Sequence, residues 1–151
     1  MRRRDRILAH PFFARLLLTS LAASQGLAAL KIDLHRSHAT NPLWLPHARF
    51  HVVWQVLNLA LLALVEAVLI WWSGACAGAG FYLAAFLTAT TLVAFWMALA
   101  SMRLYSGALF DPNGIVPWKV RLRGRILRLD MNTMAAALGS ILLVISVVLY
   151  R

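Results

Sequence analysis

Residues 61–95 read LLALVEAVLIWWSGACAGAGFYLAAFLTATTLVAF, and Glu66 is the only Asp, Glu, Lys or Arg in the stretch. Two apolar runs flank residues 73–79 (SGACAGA), a short uncharged turn of mostly small residues. A connection this short makes the elements it joins antiparallel neighbours. Extended outward, the runs cover residues 48–72 and 80–102. Each is long enough to cross a hydrocarbon core of roughly 30 Å, which takes about 20 helical residues. The stretch therefore predicts a pair of membrane-spanning helices.

Two more apolar runs, 12–30 and 131–150, have the same character, so the expected fold is all-α, an integral membrane four-helix bundle forming one transmembrane domain over residues 1–151. Within the four runs the only charged residues are Arg15, Arg49 and Glu66. The two arginines lie near run ends, where the side chain can snorkel; Glu66 lies deep. Trp44, Trp71, Trp72 and Trp118, with Tyr82, Tyr105 and Tyr150, fall at or beside the run ends, where amphipathic rings collect. Trp54 and Trp96 fall inside and read as packing residues. Small residues four apart (Ala22 and Gly26, Ala84 and Thr88, Ala135 and Gly139, Ala136 and Ser140) permit close helix contact in lipid. Asp111, Pro112, Asn113 and Gly114 suit a type I turn.

Composition agrees. Of 151 residues, 62% are hydrophobic and 13% charged, yet the net charge is +10. Soluble domains run at about 45–50% and about 25%, so an ordinary soluble globule is excluded. A disordered basic tail is excluded too, because it would lack the apolar residues. Cys76 is the single cysteine, which rules out an internal disulfide. The first run has two rival readings: an in-plane helix, or a cleaved signal peptide built on Arg2, Arg3, Arg4 and Arg6 before an apolar core.

With four spans, both termini share one face and the two longer loops share the other. The terminal face carries Arg2, Arg3, Arg4, Arg6, Arg15 and Arg151. The loop face carries Lys31, Arg36, Arg49, Arg103, Lys119, Arg121, Arg123, Arg125 and Arg128. Six against nine is too even for the positive-inside rule to orient the chain, in a plasma or inner membrane alike. The basic segment 119–129 interleaves cations and apolar residues. It suits a place in the interface near the anionic headgroups of the lipid bilayer. It lacks any nucleic-acid-binding motif, so no nucleic-acid partner is expected.

Four histidines, His35, His38, His47 and His51, fall within the run HRSHATNPLWLPHARFH. Imidazole is the commonest metal ligand, and a metal ion held by these four is one reading. The bland alternative is a solvated loop and helix start. On a helix begun by Pro46, His47 and His51 lie one turn apart on one side. At about 100° per residue, His47, His51, Gln55, Asn58 and Glu66 share a sector of about 100°. Such a stripe is expected to face the bundle interior or a water-filled cleft, and an intramembrane carboxylate is a functional candidate by default. Thr88, Thr90, Thr91, Ser20, Ser24 and Gln25 are its candidate partners. A neutral Glu66 that merely staples helices is the bland alternative. The helix start, with Arg49 and a protonated His47, is a candidate anion site.

Residues 38–51, HATNPLWLPHARFH, resemble the HxxNPxW and HA(R/K)FH segment of an uncharacterised family of small four-span membrane proteins. The resemblance implies that His38, Asn41, Pro42, Trp44, His47, Arg49 and His51 belong to one shared feature; it implies no activity. Arg49, Gln55 and Asn58 are also loosely similar to the second-span polar pattern of trimeric glutathione- and eicosanoid-handling membrane enzymes. The long basic loop before the fourth span departs from that pattern.

The leading expectation is a loop-side site for an amphipathic or acidic small molecule, with acid–base or metal chemistry if the protein is an enzyme. His47, His51 and Glu66 are its candidate catalytic residues; His38, Asn41, Trp44, Arg49, Gln55 and Asn58 are its candidate ligand contacts. One rival is a small proton- or cation-coupled transporter with Glu66 as coupling residue. Another is an accessory subunit whose stripe faces a partner helix, or a second copy in a homo-oligomer.

Overall fold

The structure, a computed structural model, describes residues 3–110 and 114–151, with side chains from Pro11 onward. Asp111, Pro112 and Asn113 of the expected type I turn lie outside the described residues, as does Arg2. Four α-helices account for most of the chain: α1 (Arg3–Ile32), α2 (Pro46–Trp71), α3 (Ala77–Ser101) and α4 (Met131–Tyr150). All four contain a segment long and apolar enough to cross a membrane.

The helices contact one another in a ring: α1 with α2 and α4, and α3 with the same two. Successive helices run antiparallel, so α1 is flanked on both sides over its described side chains. Its Ala14, Leu18, Leu21, Ala22 and Ala29 are buried, so it packs among the other helices instead of lying apart from them.

Small residues set the separations. A Cβ placed on Gly26 of α1 would meet the Ala63 Cβ at 3.0 Å and the Ala60 Cα at 3.3 Å. At Gly80 of α3 it would stand 2.6 Å from the Leu69 carbonyl oxygen. These are the close approaches that small residues permit. Ala84 and Thr88 on α3 are fully shielded, as are Ala136 and Gly139 on α4 apart from a few per cent. The turn between α2 and α3 hinges on Gly74, whose φ of 93° is open to glycine at little cost.

At the terminal end, Tyr150 stacks on the buried Phe81 with ring centroids 3.7 Å apart. Arg15 reaches the Tyr150 hydroxyl at 3.4 Å, and the Trp71 indole donates to Thr19 Oγ1 at 3.0 Å. Trp96 packs between helices and donates to Ser140 Oγ at 3.2 Å. Trp54, expected to pack inside, instead points outward and is 61% exposed.

Between α3 and α4 the basic segment is a β-hairpin. Strand β1 (Trp118–Leu122) pairs antiparallel with β2 (Arg125–Leu129), Trp118 opposite Leu129 and Leu122 opposite Arg125. Arg123 and Gly124 make the two-residue turn with φ of 48° and 78°, the sign that a type I′ hairpin turn requires at both positions. Left-handed backbone at Arg123 costs about 1 kcal/mol relative to glycine. One residue beyond β2, Asp130 caps α4 by accepting from Thr133 N at 2.9 Å.

Candidate functional site

The histidine-rich segment folds into two separate units. The first caps the end of α1. Asn41 is fully buried; its Oδ1 accepts from Leu43 N at 3.0 Å and its Nδ2 donates to the Ser37 carbonyl at 3.4 Å. That is an Asx turn, which Asn favours ahead of a proline. Arg49, one turn into α2, reaches back: Nε donates to the Trp44 carbonyl at 2.9 Å and Nη2 to the Pro42 carbonyl at 3.2 Å. Trp44 packs edge-on against His38 with centroids 5.5 Å apart. Asn41 and Arg49, expected to hold a ligand, thus direct those polar atoms at loop backbone, where the guanidinium fork and the amide match carbonyl and N–H geometry.

The second unit is the start of α2. His47 and His51 are exposed, and their Nε2 atoms stand 3.1 Å apart. One ring must donate and the other accept. His51 stacks on Trp54 at 5.9 Å, and with Gln55 and Asn58 these two line a groove of about 280 Å³. His47, His51, Gln55 and Asn58 all face outward, contrary to the expected inward stripe. The buried direction of α2 is marked by Val56, Glu66 and Ile70, with Ala63 against Gly26. On a helical wheel Val56, Ala63 and Ile70 centre about 140° from the histidines. Glu66 stands at the edge of that buried side, so it alone of the stripe turns inward.

Glu66 is 1% exposed and accepts from Thr88 Oγ1 at 2.8 Å. Thr90 and Ser24, other candidate partners, bond to backbone carbonyls of their own helices. Glu66 is not among the residues lining either cavity.

The four histidines do not gather. His35 is exposed on the loop, His38 belongs to the α1 cap, and His47 and His51 form a pair. Among the described residues no three of His, Cys, Asp or Glu come together as a metal site would require. The 3.1 Å separation of the pair does suit two ligands on one ion with bonds of about 2.0–2.1 Å, but a structural zinc takes four.

A larger cavity of about 590 Å³ opens toward the loop end between α1, α3 and α4. Leu21, Leu92, Phe95, Leu99 and Gly139 form its apolar depth, with Ser24, Gln25 and Thr91 among them. Asp33, His38, Tyr105 and Asn132 line it nearer the loops. Gln25 Nε2 is buried and finds no hydrogen-bond acceptor among the described residues. Asp33 and His38 face each other at 3.7 Å. Burial pushes the Asp33 carboxyl above its usual range, with the nearby His38 pulling the other way.

Ser37 Oγ lies 2.9 Å from His38 Nδ1 and 3.3 Å from the Ile32 carbonyl. A hydroxyl has one proton. Given to Ile32, it leaves Oγ to accept from Nδ1–H, which puts the free lone pair of His38 on Nε2. Ser37 and Asp33 address the same ring nitrogen, so the three do not form a nucleophile–base–orienter set, in which the base uses both nitrogens.

Of the expected site residues, only His38 lies on this cavity. Gln25 and Thr91 were visible in sequence only as candidate hydrogen-bonding partners of Glu66, and Asp33 only as a lone acid near the histidines; Asn132 carried no signal toward a shared site. No family model matches the chain, and neither the curated proteins nor the solved structures contain a match to it.

Proposed function

We propose that the chain is a multi-pass membrane protein, its four helices crossing the bilayer as a bundle, and that its loop-side cavity holds an amphipathic small molecule. The observation that carries this is the Gln25 amide, a buried donor without an acceptor among the described residues, set in the apolar depth of a 590 Å³ cavity. A buried polar group without a partner costs free energy, and a turn of the Gln25 side chain toward a ligand oxygen in the cavity removes that cost. The volume lies within the roughly 300–1,000 Å³ of small-molecule sites, which pair apolar walls with a few convergent polar groups. The ligand's apolar body fits Leu21, Leu92, Phe95 and Leu99. Its polar end fits the loop-side mouth, lined by Asp33, His38, Tyr105 and Asn132.

The test is native mass spectrometry of the detergent-purified protein, with extraction of whatever it retains. Gln25→Leu removes the donor and Ala136→Phe fills the cavity; both should lose the retained molecule. The pair His47→Ala and His51→Ala should keep it. Retention that survives both cavity substitutions and disappears with the histidines would move the site to the start of α2.

A second reading concerns α2 itself. Measured back from Trp71 at 1.5 Å per residue, Asn58 lies about 20 Å and Gln55 about 24 Å into a core of roughly 30 Å. Both face outward. Amides at that depth favour a neighbouring helix that can hydrogen-bond them, from a second copy or a partner subunit. Chemical cross-linking from Asn58→Cys in a Cys76→Ser background tests it: a crosslinked homodimer supports a second copy, and a monomer throughout removes that occupant.

A further inference from the structure

The hairpin between α3 and α4 sorts its side chains by charge. Trp118, Val120 and Leu122 on β1 share one face with Leu127 and Leu129 on β2 and, at its tip end, with Arg125 opposite Leu122, because paired residues point the same way and alternate residues point oppositely. The other face holds Lys119, Arg121 and Arg128 with Ile126. Arg125 and Arg123 sit at the tip, Arg123 in left-handed backbone that a glycine or asparagine would adopt more readily. Nearly every residue of both strands is exposed. Trp118 and Leu122 each keep more than half their surface open.

Neither face is at rest in water. An isolated two-stranded hairpin is marginal unless its apolar face packs on something. Lys119 stands directly opposite Arg128, a like-charge pair that destabilises a ladder unless an anion lies beside it. Both deficits are met by one environment, the boundary between acyl chains and anionic headgroups. The hairpin is held there by its attachment. Leu129 is two residues from Met131, the first residue of α4, and so of a helix read above as crossing the bilayer.

We propose that the hairpin docks on the surface of an anionic bilayer, its Trp118–Val120–Leu122 face toward the acyl chains and its Lys119–Arg121–Arg128 face toward lipid phosphates. The occupant is the lipid headgroup layer itself. The inference rests on the membrane-spanning reading of α4 and is independent of the cavity ligand.

The test uses the full chain in nanodiscs, with Cys76→Ser as background and a nitroxide on Val120→Cys or on Lys119→Cys. Depth is read from collisions with oxygen against a water-soluble nickel chelate. In nanodiscs containing about 30% phosphatidylglycerol, the label at 120 should favour oxygen and the label at 119 should favour the chelate. In phosphatidylcholine alone, the contrast should shrink. The triple substitution Lys119→Gln, Arg121→Gln and Arg128→Gln should weaken docking by about fivefold per cation removed. Equal collision of both labels with the chelate in the anionic discs would overturn the proposal. So would a depth that ignores lipid charge, which marks a protein neighbour or a purely apolar contact. A chain that does not enter nanodiscs at all would instead sink the membrane-spanning reading.

Discussion

Thr88 Oγ1 donates a 2.8 Å hydrogen bond to Glu66 Oε1, and both side chains are shielded from solvent between α2 and α3. The bond joins the two helices of the tight hairpin, about one turn along α2 and two along α3 from the Leu69–Gly80 contact. Its removal leaves a buried group unsatisfied, at a cost of about 1–3 kcal/mol. Glu66→Leu and Thr88→Val should each destabilise the fold by that amount. The double substitution should cost less than the sum, since both remove the same interaction. Glu66→Gln keeps an acceptor oxygen and should stay near wild type. Unfolding in mixed micelles measures all four, and strict additivity would show that the bond does not couple the helices.

Gly80 and Gly78 form a second test on the same hairpin. A Cβ at Gly80 would stand 2.6 Å from the Leu69 carbonyl oxygen, while one at Gly78 meets nothing within 4 Å. Gly80→Ala should force α3 away from α2 and lower stability by about 1–3 kcal/mol. Gly78→Ala should stay within about 0.5 kcal/mol of wild type. The same melting assay reads both.

Much of the fold was legible because span length, turn length and small-residue spacing are each fixed by local sequence. The 73–79 turn made α2 and α3 neighbours, and Thr88 stood among the few hydroxyls able to reach Glu66. The wheel position of His47, His51, Gln55 and Asn58 was equally local, but its direction was not. A helix that is apolar nearly all round does not say which sector meets its neighbours; that depends on where Gly26 and Gly80 admit α1 and α3. Arg49 read as an anion anchor because only its charge was visible, whereas the loop carbonyls it holds appear once residues 42–45 fold back. The hairpin had its alternation and its Arg123–Gly124 turn in plain sight, but the segment reads as a basic interfacial loop from its charge alone.

Asp33 gives the α1 cap a pH dependence of definite sign. Burial raises its carboxyl above the ordinary value of 3.8 despite His38. Between 3.8 and that raised value the folded chain binds more protons than the unfolded one. Stability therefore falls as pH rises through that window. Asp33→Asn should flatten the fall. Thermal denaturation from about pH 3.5 to neutrality, compared for the two proteins, checks this; parallel curves would remove Asp33 as the cause.

Asn41 and Arg49 should behave as structural residues of the loop. Asn41→Ala strips the acceptor from Leu43 N–H, at about 1–3 kcal/mol. Arg49→Lys replaces a planar fork with a point donor that does not serve the Trp44 and Pro42 carbonyls together. Both should speed amide exchange over residues 43–45 and leave ligand retention by the cavity in place. Lost retention with unchanged exchange would return them to the binding site.

Helix α2 has 26 residues and α4 has 20, about 39 Å against about 30 Å at 1.5 Å per residue. The surplus lies at the end that bears His47, His51, Gln55 and Asn58. Hydrophobic mismatch therefore acts on α2 more than on α4. In a thin bilayer the four side chains stand among headgroups and water. In a thick one the lower pair is drawn into hydrocarbon, and self-association is the means of satisfying them. On the proposed pairing through Gln55 and Asn58, acyl-chain length is a dial on assembly, and the same polypeptide should shift between monomer and oligomer as the lipids lengthen.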